Sequence, residues 1–177
     1  MSPASENPIL ILDADETHLP ALTAIYNQAI ASRTATADME PATVQQRRDW
    51  LADHSADQYP VYVAEIAGKV VGYASLSRYR RGRQALRHTA EISYFVDENF
   101  QRRGVGSQLI AHTLQQCPRL NIRNVFGILL DINHGSVRIL EKFGFEQWGH
   151  LPDVADFDGA VCGHLYYGRS VDQPGNP

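Results

Sequence analysis

The feature that most constrains this chain is a glycine-containing loop between a strand-like segment and a helix-like segment. The loop, residues 101–107, has the sequence Gln-Arg-Arg-Gly-Val-Gly-Ser. A β-branched and aromatic run precedes it at residues 88–96, and apolar residues at helical spacing follow over 104–116. Glycine lets the backbone approach a ligand closely, and the first N–H groups of a helix have no partner within it. The unit therefore predicts an anion site, to which Arg102 and Arg103 add positive charge.

Two common phosphate-binding motifs do not account for this loop. The dinucleotide fingerprint requires a third glycine, and Leu109 stands at that position. The chain also contains no GxxxxGK[ST] sequence. We therefore expect a phosphate-bearing cofactor of another kind.

Hydrophobic periodicity along the rest of the chain predicts strands and helices that do not alternate strictly. Strands are expected over 9–13, as a buried run, and over 61–66, 69–77, 88–96, 125–130, 145–151 and 164–171. Helices are expected over 19–30, 104–116 and 136–143, and a Thr43–Gln46 capping box before Val44, Arg47 and Trp50 begins another that runs to about residue 54. We predict an α/β (α+β) fold with a mixed, mostly antiparallel central sheet of about seven strands, flanked by helices.

Composition narrows the class of protein. The chain has 177 residues, of which 44% are hydrophobic and 20% charged, so we expect one globular domain over residues 1–171 and a flexible tail over 172–177. A net charge of -4 provides no overall attraction to nucleic acid or to an anionic membrane. Two cysteines without CxxC spacing favour a reducing cytoplasm, and the histidines form no metal-binding pattern. The first residues have neither the basic region of a secretory signal nor an apolar run long enough to span a membrane.

Two motifs together resemble the GNAT superfamily of N-acetyltransferases. Gln101, Gly104 and Gly106 match its Q/R-x-x-G-x-G/A motif, and residues 133–145 match its pattern of Asn, small residues and an apolar helix ending in Gly-Phe. The resemblance spans about residues 9–171 and is nearest to the phosphinothricin and methionine sulfoximine acetyltransferases. The supporting segments are Ile-Tyr-Asn at 25–27, Gly-Tyr-Ala at 72–74 and Arg-x-Thr-x-Glu at 87–91.

The resemblance implies acetyl-CoA as cosubstrate, without a metal. Its pyrophosphate would lie on the glycine loop, its pantetheine arm along a strand that splays from its neighbour, and its distal part near helix 136–143. Asn133 would bind the pantetheine arm through its amide, and Lys142 would meet a phosphate. The implied contacts are Tyr94, Phe95, Val96, Arg102, Arg103, Gly104, Val105, Gly106, Ser107, Asn133, Ser136 and Lys142.

Transfer of an acetyl group from a thioester requires a neutral amine, so a base is needed, and the resemblance assigns that role to Glu91. A backbone N–H of Phe95 or Val96 would stabilise the oxyanion that develops. Many relatives place a tyrosine or histidine where this chain has Leu140. A thiol with a pKa of about 8.5 leaves without a strong acid, so this departure does not exclude catalysis. Three side chains of the last strand are alternative acids: His164, Tyr166 and Tyr167.

The segment between the third and fourth strands carries five arginines: Arg78, Arg80, Arg81, Arg83 and Arg87. In the resembling group this loop faces the acceptor, so we expect Arg80 or Arg87 to bind the carboxylate of an amino-acid-like amine, with Thr89 beside it. Relatives are often dimers, so a homodimer is possible. Two other functions stay open: a non-catalytic acyl-CoA sensor, and a nucleic-acid binding module that uses the arginines and Tyr79.

Overall fold

The computed structural model describes residues 7–171, and a single seven-stranded sheet runs through them. The strands are β1 (Leu10–Asp13), β2 (Val61–Ile66), β3 (Lys69–Arg78), β4 (Thr89–Val96), β5 (Asn124–Leu130), β6 (Glu146–Phe157) and β7 (Ala160–Ser170). Their order is β1-β2-β3-β4-β5-β7-β6, and only the β4–β5 pair is parallel. The predicted mixed, mostly antiparallel sheet is confirmed.

Four α-helices accompany the sheet in the described residues. They are α1 (Leu19–Ser32), α2 (Val44–Ala52), α3 (Val105–Gln116) and α4 (His134–Lys142). Pro20 lies in the first turn of α1, where proline is tolerated. The Thr43–Gln46 capping box is present at α2, as the sequence predicts. Burial of an apolar face of α1 and of α3 against the sheet supplies most of the stability of these two helices, while α2 packs on α1. Leu22 and Leu109, for example, have no solvent exposure.

The parallel pair of strands separates after a short contact, and this creates the opening on which the site depends. Residues Thr89, Ala90 and Glu91 of β4 pair with Asn124, Val125 and Phe126 of β5, and no pairing follows beyond them. The rest of β4 keeps its partner β3 on the other side, as far as Val96. Backbone groups of residues 92–96 therefore have a side without ladder hydrogen bonds, available to a ligand.

Two expectations about strands need correction. The first strand is not buried, because β1 is an edge strand whose Leu10 is 54% exposed. The last two strands are longer than predicted, since β6 and β7 continue to a tight turn at Asp158 and Gly159, both at positive φ. An Asp-Gly pair in that conformation is the usual two-residue hairpin turn, and the sequence signal for it was missed. The predicted tail, 172–177, lies outside the described residues.

Candidate active site

A cavity of about 780 Å³ lies where the start of α3 faces the open side of β4. We call it the α3 cavity. It brings together eleven of the twelve residues that the sequence assigned to the cofactor: Tyr94, Phe95, Val96, Arg102, Gly104, Val105, Gly106, Ser107, Asn133, Ser136 and Lys142. The twelfth, Arg103, is not on its wall, and its guanidinium carbon lies 5.0 Å from the ring centroid of Phe100.

The glycines of the loop have a geometric requirement in this fold. Gly104, the N-cap of α3, has φ +82°, a left-handed conformation that other residues adopt only with strain, and no atom lies within 4 Å of the position of a Cβ there. A Cβ on Gly106 would lie 3.3 Å from Ile139 Cδ1 of α4. Gly104 therefore leaves the space before the helix open, while Gly106 lets α3 and α4 approach each other.

The opposite wall of the α3 cavity is the start of α4. Asn133 caps this helix, since its Oδ1 accepts a hydrogen bond from the Ser136 N–H at 3.1 Å. Its amide nitrogen makes no hydrogen bond within residues 7–171, so that group stays available to a ligand. The Tyr94 hydroxyl donates to the Ser136 carbonyl at 3.5 Å, and burial raises the pKa of this tyrosine.

These residues fit an acyl-CoA. First-turn N–H groups of α3, with the helix dipole and Arg102, suit a pyrophosphate. The unpaired backbone of β4 suits the amide-containing pantetheine arm, which hydrogen-bonds as an additional strand does.

A second cavity, of about 770 Å³, lies on the other face of β4, and we call it the Glu91 cavity. Glu91, Ser93 and Phe95 share the strand face that lines it, as their alternation predicts, and Phe95 lines both cavities. The carboxylate of Glu91 has no hydrogen-bond or ion-pair partner among residues 7–171, and burial raises the pKa of this group. An unpaired carboxylate with a raised pKa has the properties of a general base.

One prominent residue of the Glu91 cavity was not selected from the sequence. Arg47 of α2 is 6% exposed, and its guanidinium lies 3.7 Å from the ring centroid of Trp50 and 4.5 Å from that of Tyr26. Its Nη2 donates to the Tyr73 hydroxyl at 3.0 Å. The signal that could have identified it is a charge beside Trp50 on the inward face of an otherwise polar helix.

The predicted acceptor residues lie elsewhere. Arg80 and Arg87 are exposed, and neither lines the Glu91 cavity; Arg87 donates to the Gln84 carbonyl, and Arg80 lies against Tyr79. Thr89 begins β4 opposite Asn124 and is also absent from the cavity wall. Their role as acceptor contacts stays a prediction.

The candidates for an acid are placed as follows. Leu140 is fully buried, and its Cδ1 would lie 3.3 Å from a Cβ on Gly127, so the position is part of the core. His164 lines the Glu91 cavity. Tyr166 packs near Phe126, and the Tyr167 hydroxyl donates to Glu141.

No helix in residues 7–171 is both long and apolar enough to cross a membrane. Within the same residues, no group of three or more His, Cys, Asp or Glu side chains is arranged to hold a metal ion.

Comparison with known proteins agrees with this geometry. Among named relatives, the chain is 40% identical to YwnH of Bacillus subtilis, provisionally a phosphinothricin acetyltransferase, over 89% of this chain and 96% of that protein. It is 30% identical to the L-methionine sulfoximine/L-methionine sulfone acetyltransferase of Pseudomonas aeruginosa, over 81% and 84% of the two chains.

Solved structures agree as well. The Salmonella typhimurium protein YncA, provisionally an acetyltransferase and solved with acetyl-CoA, is 26% identical, with a TM-score of 0.88 and coverage of 97% of this chain and 98% of that chain. The pattern of the Acetyltransferase (GNAT) family matches residues 22–145. The chain belongs to the GNAT family and is an acetyl-CoA-dependent N-acetyltransferase.

Proposed function

We propose that this enzyme transfers the acetyl group of acetyl-CoA to the primary amine of a small amino-acid-like acceptor by direct attack, with Glu91 as general base. The observation that carries the proposal is the unpaired, half-buried Glu91 carboxylate, which lies where β4 leaves β5. The α3 cavity and the Glu91 cavity adjoin at Phe95, so a thioester and an amine entering from opposite sides meet at this strand.

In this proposal acetyl-CoA occupies the α3 cavity. The pyrophosphate accepts hydrogen bonds from N–H groups of residues 104–107, and the pantetheine arm pairs with β4 between Tyr94 and Val96. The Asn133 amide binds the same arm, and Lys142 and Ser136 lie near its distal end. The placement of these groups around one cavity supports the assignment.

The chemistry balances without a further reactant. Glu91 accepts a proton from the ammonium form of the acceptor, directly or through water, and the freed lone pair forms the C–N bond. The C–S bond breaks and CoA leaves as a thiolate, while the attacking nitrogen, which still carries two protons, loses one of them to that thiolate directly or through water, so that the amide and the CoA thiol are formed. A raised pKa makes Glu91 a stronger base than an exposed glutamate.

The acceptor class rests on the relatives and on the charges of the cavity. Two relatives are named for methionine sulfoximine and phosphinothricin, both of them amino-acid analogues. A zwitterion needs one negative and one positive contact, and the wall contains both Glu91 and Arg47. The exposed Arg80 and Arg87, with Thr89, remain candidate contacts nearer the surface.

We further propose that the enzyme acts in the cytoplasm as a homodimer. Both cysteines are buried free thiols, which suits a reducing compartment.

The β6–β7 hairpin exposes three large apolar side chains, Trp148, Val154 and Val161, each more than 50% accessible, and a second copy of this chain would cover them. Light scattering should then give twice the chain mass, and Val161→Glu should yield monomer.

The test of the function is release of CoA thiol from acetyl-CoA with a panel of amines. We expect release with methionine sulfoximine, phosphinothricin or ordinary amino acids, and little with polyamines or peptides. Binding of acetyl-CoA without thiol release from any amine would contradict the proposal and identify an acyl-CoA sensor instead. Salt-dependent binding of RNA would favour the nucleic-acid alternative.

A further inference from the structure

We infer that Arg47 is the anion-binding residue of the acceptor site, pairing with an acid group of the amine substrate. The inference rests on the proposed function and names the side chain that would make the enzyme select acidic acceptors.

The burial of Arg47 is the first reason. Arg47 is 6% exposed, and its Nε is a buried nitrogen with no hydrogen-bond partner. Of the five N–H groups in a guanidinium, one is satisfied within residues 7–171, by the Tyr73 hydroxyl. A buried charge with unsatisfied donors is unfavourable unless a counter-ion completes it.

The position of the guanidinium is the second reason. Three acidic side chains line the same cavity: Asp38, Glu40 and Glu91. None of them lies within 4 Å of the Arg47 nitrogens, and Asp38 accepts a hydrogen bond from Tyr26. No carboxylate of residues 7–171 therefore pairs with the positive charge of Arg47. The cavity beside Arg47 is large enough for an amino acid.

Aromatic residues surround the guanidinium of Arg47. Its central carbon lies over the rings of Trp50 and Tyr26, and the buried Tyr73 accepts a hydrogen bond from Nη2. Ring contacts leave the remaining N–H groups for an anion, and the planar fork of a guanidinium matches the two oxygens of a carboxylate or phosphinate. With Glu91 on the same wall, an acceptor would present its ammonium to one residue and its acid group to the other.

The experiment compares acceptors that differ in one acid group. Amino acids are paired with their primary amides, which lack the α-carboxylate, and phosphinothricin is paired with methionine sulfoximine, which lacks the side-chain acid. In the native enzyme we expect kcat/KM to favour the acid member of one pair by about 10- to 100-fold, the effect of a charged hydrogen bond. The pair that shows the preference identifies which acid group of the acceptor Arg47 binds.

The variant Arg47→Met fills the same space without charge, and it should abolish that preference while sparing the affinity for acetyl-CoA. Arg47→Lys, which keeps the charge but lacks the fork, should retain part of it. The matched control is Arg48→Met, because Arg48 is the next residue of α2, is exposed and faces Glu16. It should behave as the native enzyme does.

A purely structural Arg47 would give another result. Arg47→Met would then lower the melting temperature and reduce turnover of acid and amide acceptors equally, which would overturn the inference. A native enzyme that acetylates amines with no preference for either acid group would also overturn it and leave the proposed function intact. Absence of acetylation with every amine would instead overturn the proposed function.

A second measurement applies if the Arg47 variants do not fold. Trp50 stacks on Arg47, and Trp148→Phe leaves Trp50 as the only tryptophan of the chain. In one of the two pairs, the acid member should then shift the Trp50 fluorescence more than its partner does at the same concentration. Equal responses within both pairs, or none, would contradict the inference.

Discussion

The α3 cavity and the Glu91 cavity lie on opposite faces of β4 and share Phe95, but their walls are made of different groups. One wall of the α3 cavity is the strand-loop-helix unit from Tyr94 to Ser107, which offers backbone N–H groups, and the other walls come from residues 28–35 and from the start of α4. The Glu91 cavity is formed by residues 35–42, which connect α1 to α2, and by residues from α1, α2, β3, β4, β5 and β7. Backbone recognition tolerates many side chains but few conformations, whereas side-chain recognition depends on particular residues.

The largest effect is expected in the Glu91 cavity, where substitution of Glu91 should lower kcat. Glutamine keeps the shape of the side chain but cannot accept the ammonium proton, so Glu91→Gln should lower kcat by about 10²- to 10⁴-fold. Raising the pH should partly restore the rate, because more acceptor is then neutral. Initial rates of thiol release, measured over a range of pH, give the fall in kcat and its recovery at high pH. Calorimetry should show that the affinity for acetyl-CoA is unchanged. Native kcat in the variant at every pH would remove Glu91 from the mechanism.

The next largest effect should come from Gly104 in the α3 cavity. Valine is strained at φ +82°, so in Gly104→Val the loop should leave this conformation and move its N–H groups away from the pyrophosphate. Loss of one charged hydrogen bond of about 1.5–3 kcal/mol should weaken acetyl-CoA binding about tenfold or more.

A matched control for this change is Gly68→Val. Gly68 has φ +75° and equally open surroundings, but it lies at the β2–β3 turn, away from both cavities. It should cost similar stability and leave acetyl-CoA affinity unchanged in calorimetry. Unchanged affinity in Gly104→Val itself would make the pyrophosphate assignment wrong.

A smaller effect is expected in the arginine loop. Arg80 and Arg87 are exposed, and an exposed ion pair contributes at most about 1 kcal/mol. Arg80→Ala and Arg87→Ala should therefore raise the acceptor KM by no more than about fivefold, with kcat and acetyl-CoA affinity unchanged. Steady-state kinetics with an amino acid acceptor measures this. A tenfold or larger increase in the acceptor KM would show that the arginine loop binds the acceptor, and the loop would then not differ from Arg47 in this respect.

The smallest effect concerns stability. Burial raises the folded-state pKa of Glu91 above its unfolded value, so the carboxylate opposes folding at neutral pH. Below the unfolded pKa both states are protonated, and this cost disappears. Glu91→Gln should therefore melt at a slightly higher temperature than the native chain at pH 7, and the difference should vanish as the pH falls below about 4. A lower melting temperature for the variant at pH 7 would indicate a structural carboxylate.

Local signals predicted much of the fold. The Thr43 capping box, the two strands predicted over 61–66 and 69–77 and the strand before the glycine loop all lie where the sequence placed them, to within a residue. The misjudged elements are those whose environment is decided at long range. An apolar run such as residues 9–13 is compatible with an edge or a central strand, and the extension of β6 and β7 depends on their pairing with each other.

The strand-loop-helix wall of the α3 cavity was predictable because its residues are near one another in sequence, and the conformation of a glycine loop at a helix start is a local property. The placement of Glu91 and Arg47 on the wall of one cavity was not predictable, because it depends on the packing of α2 against α1 and on the hydrogen bond from Arg47 to Tyr73, which lies 26 positions away in sequence. The sequence by itself determined the strand-loop-helix unit and placed Glu91 on the strand before the glycine loop. Only the tertiary structure decided which arginine is desolvated, because burial is set by elements that pack from distant parts of the chain.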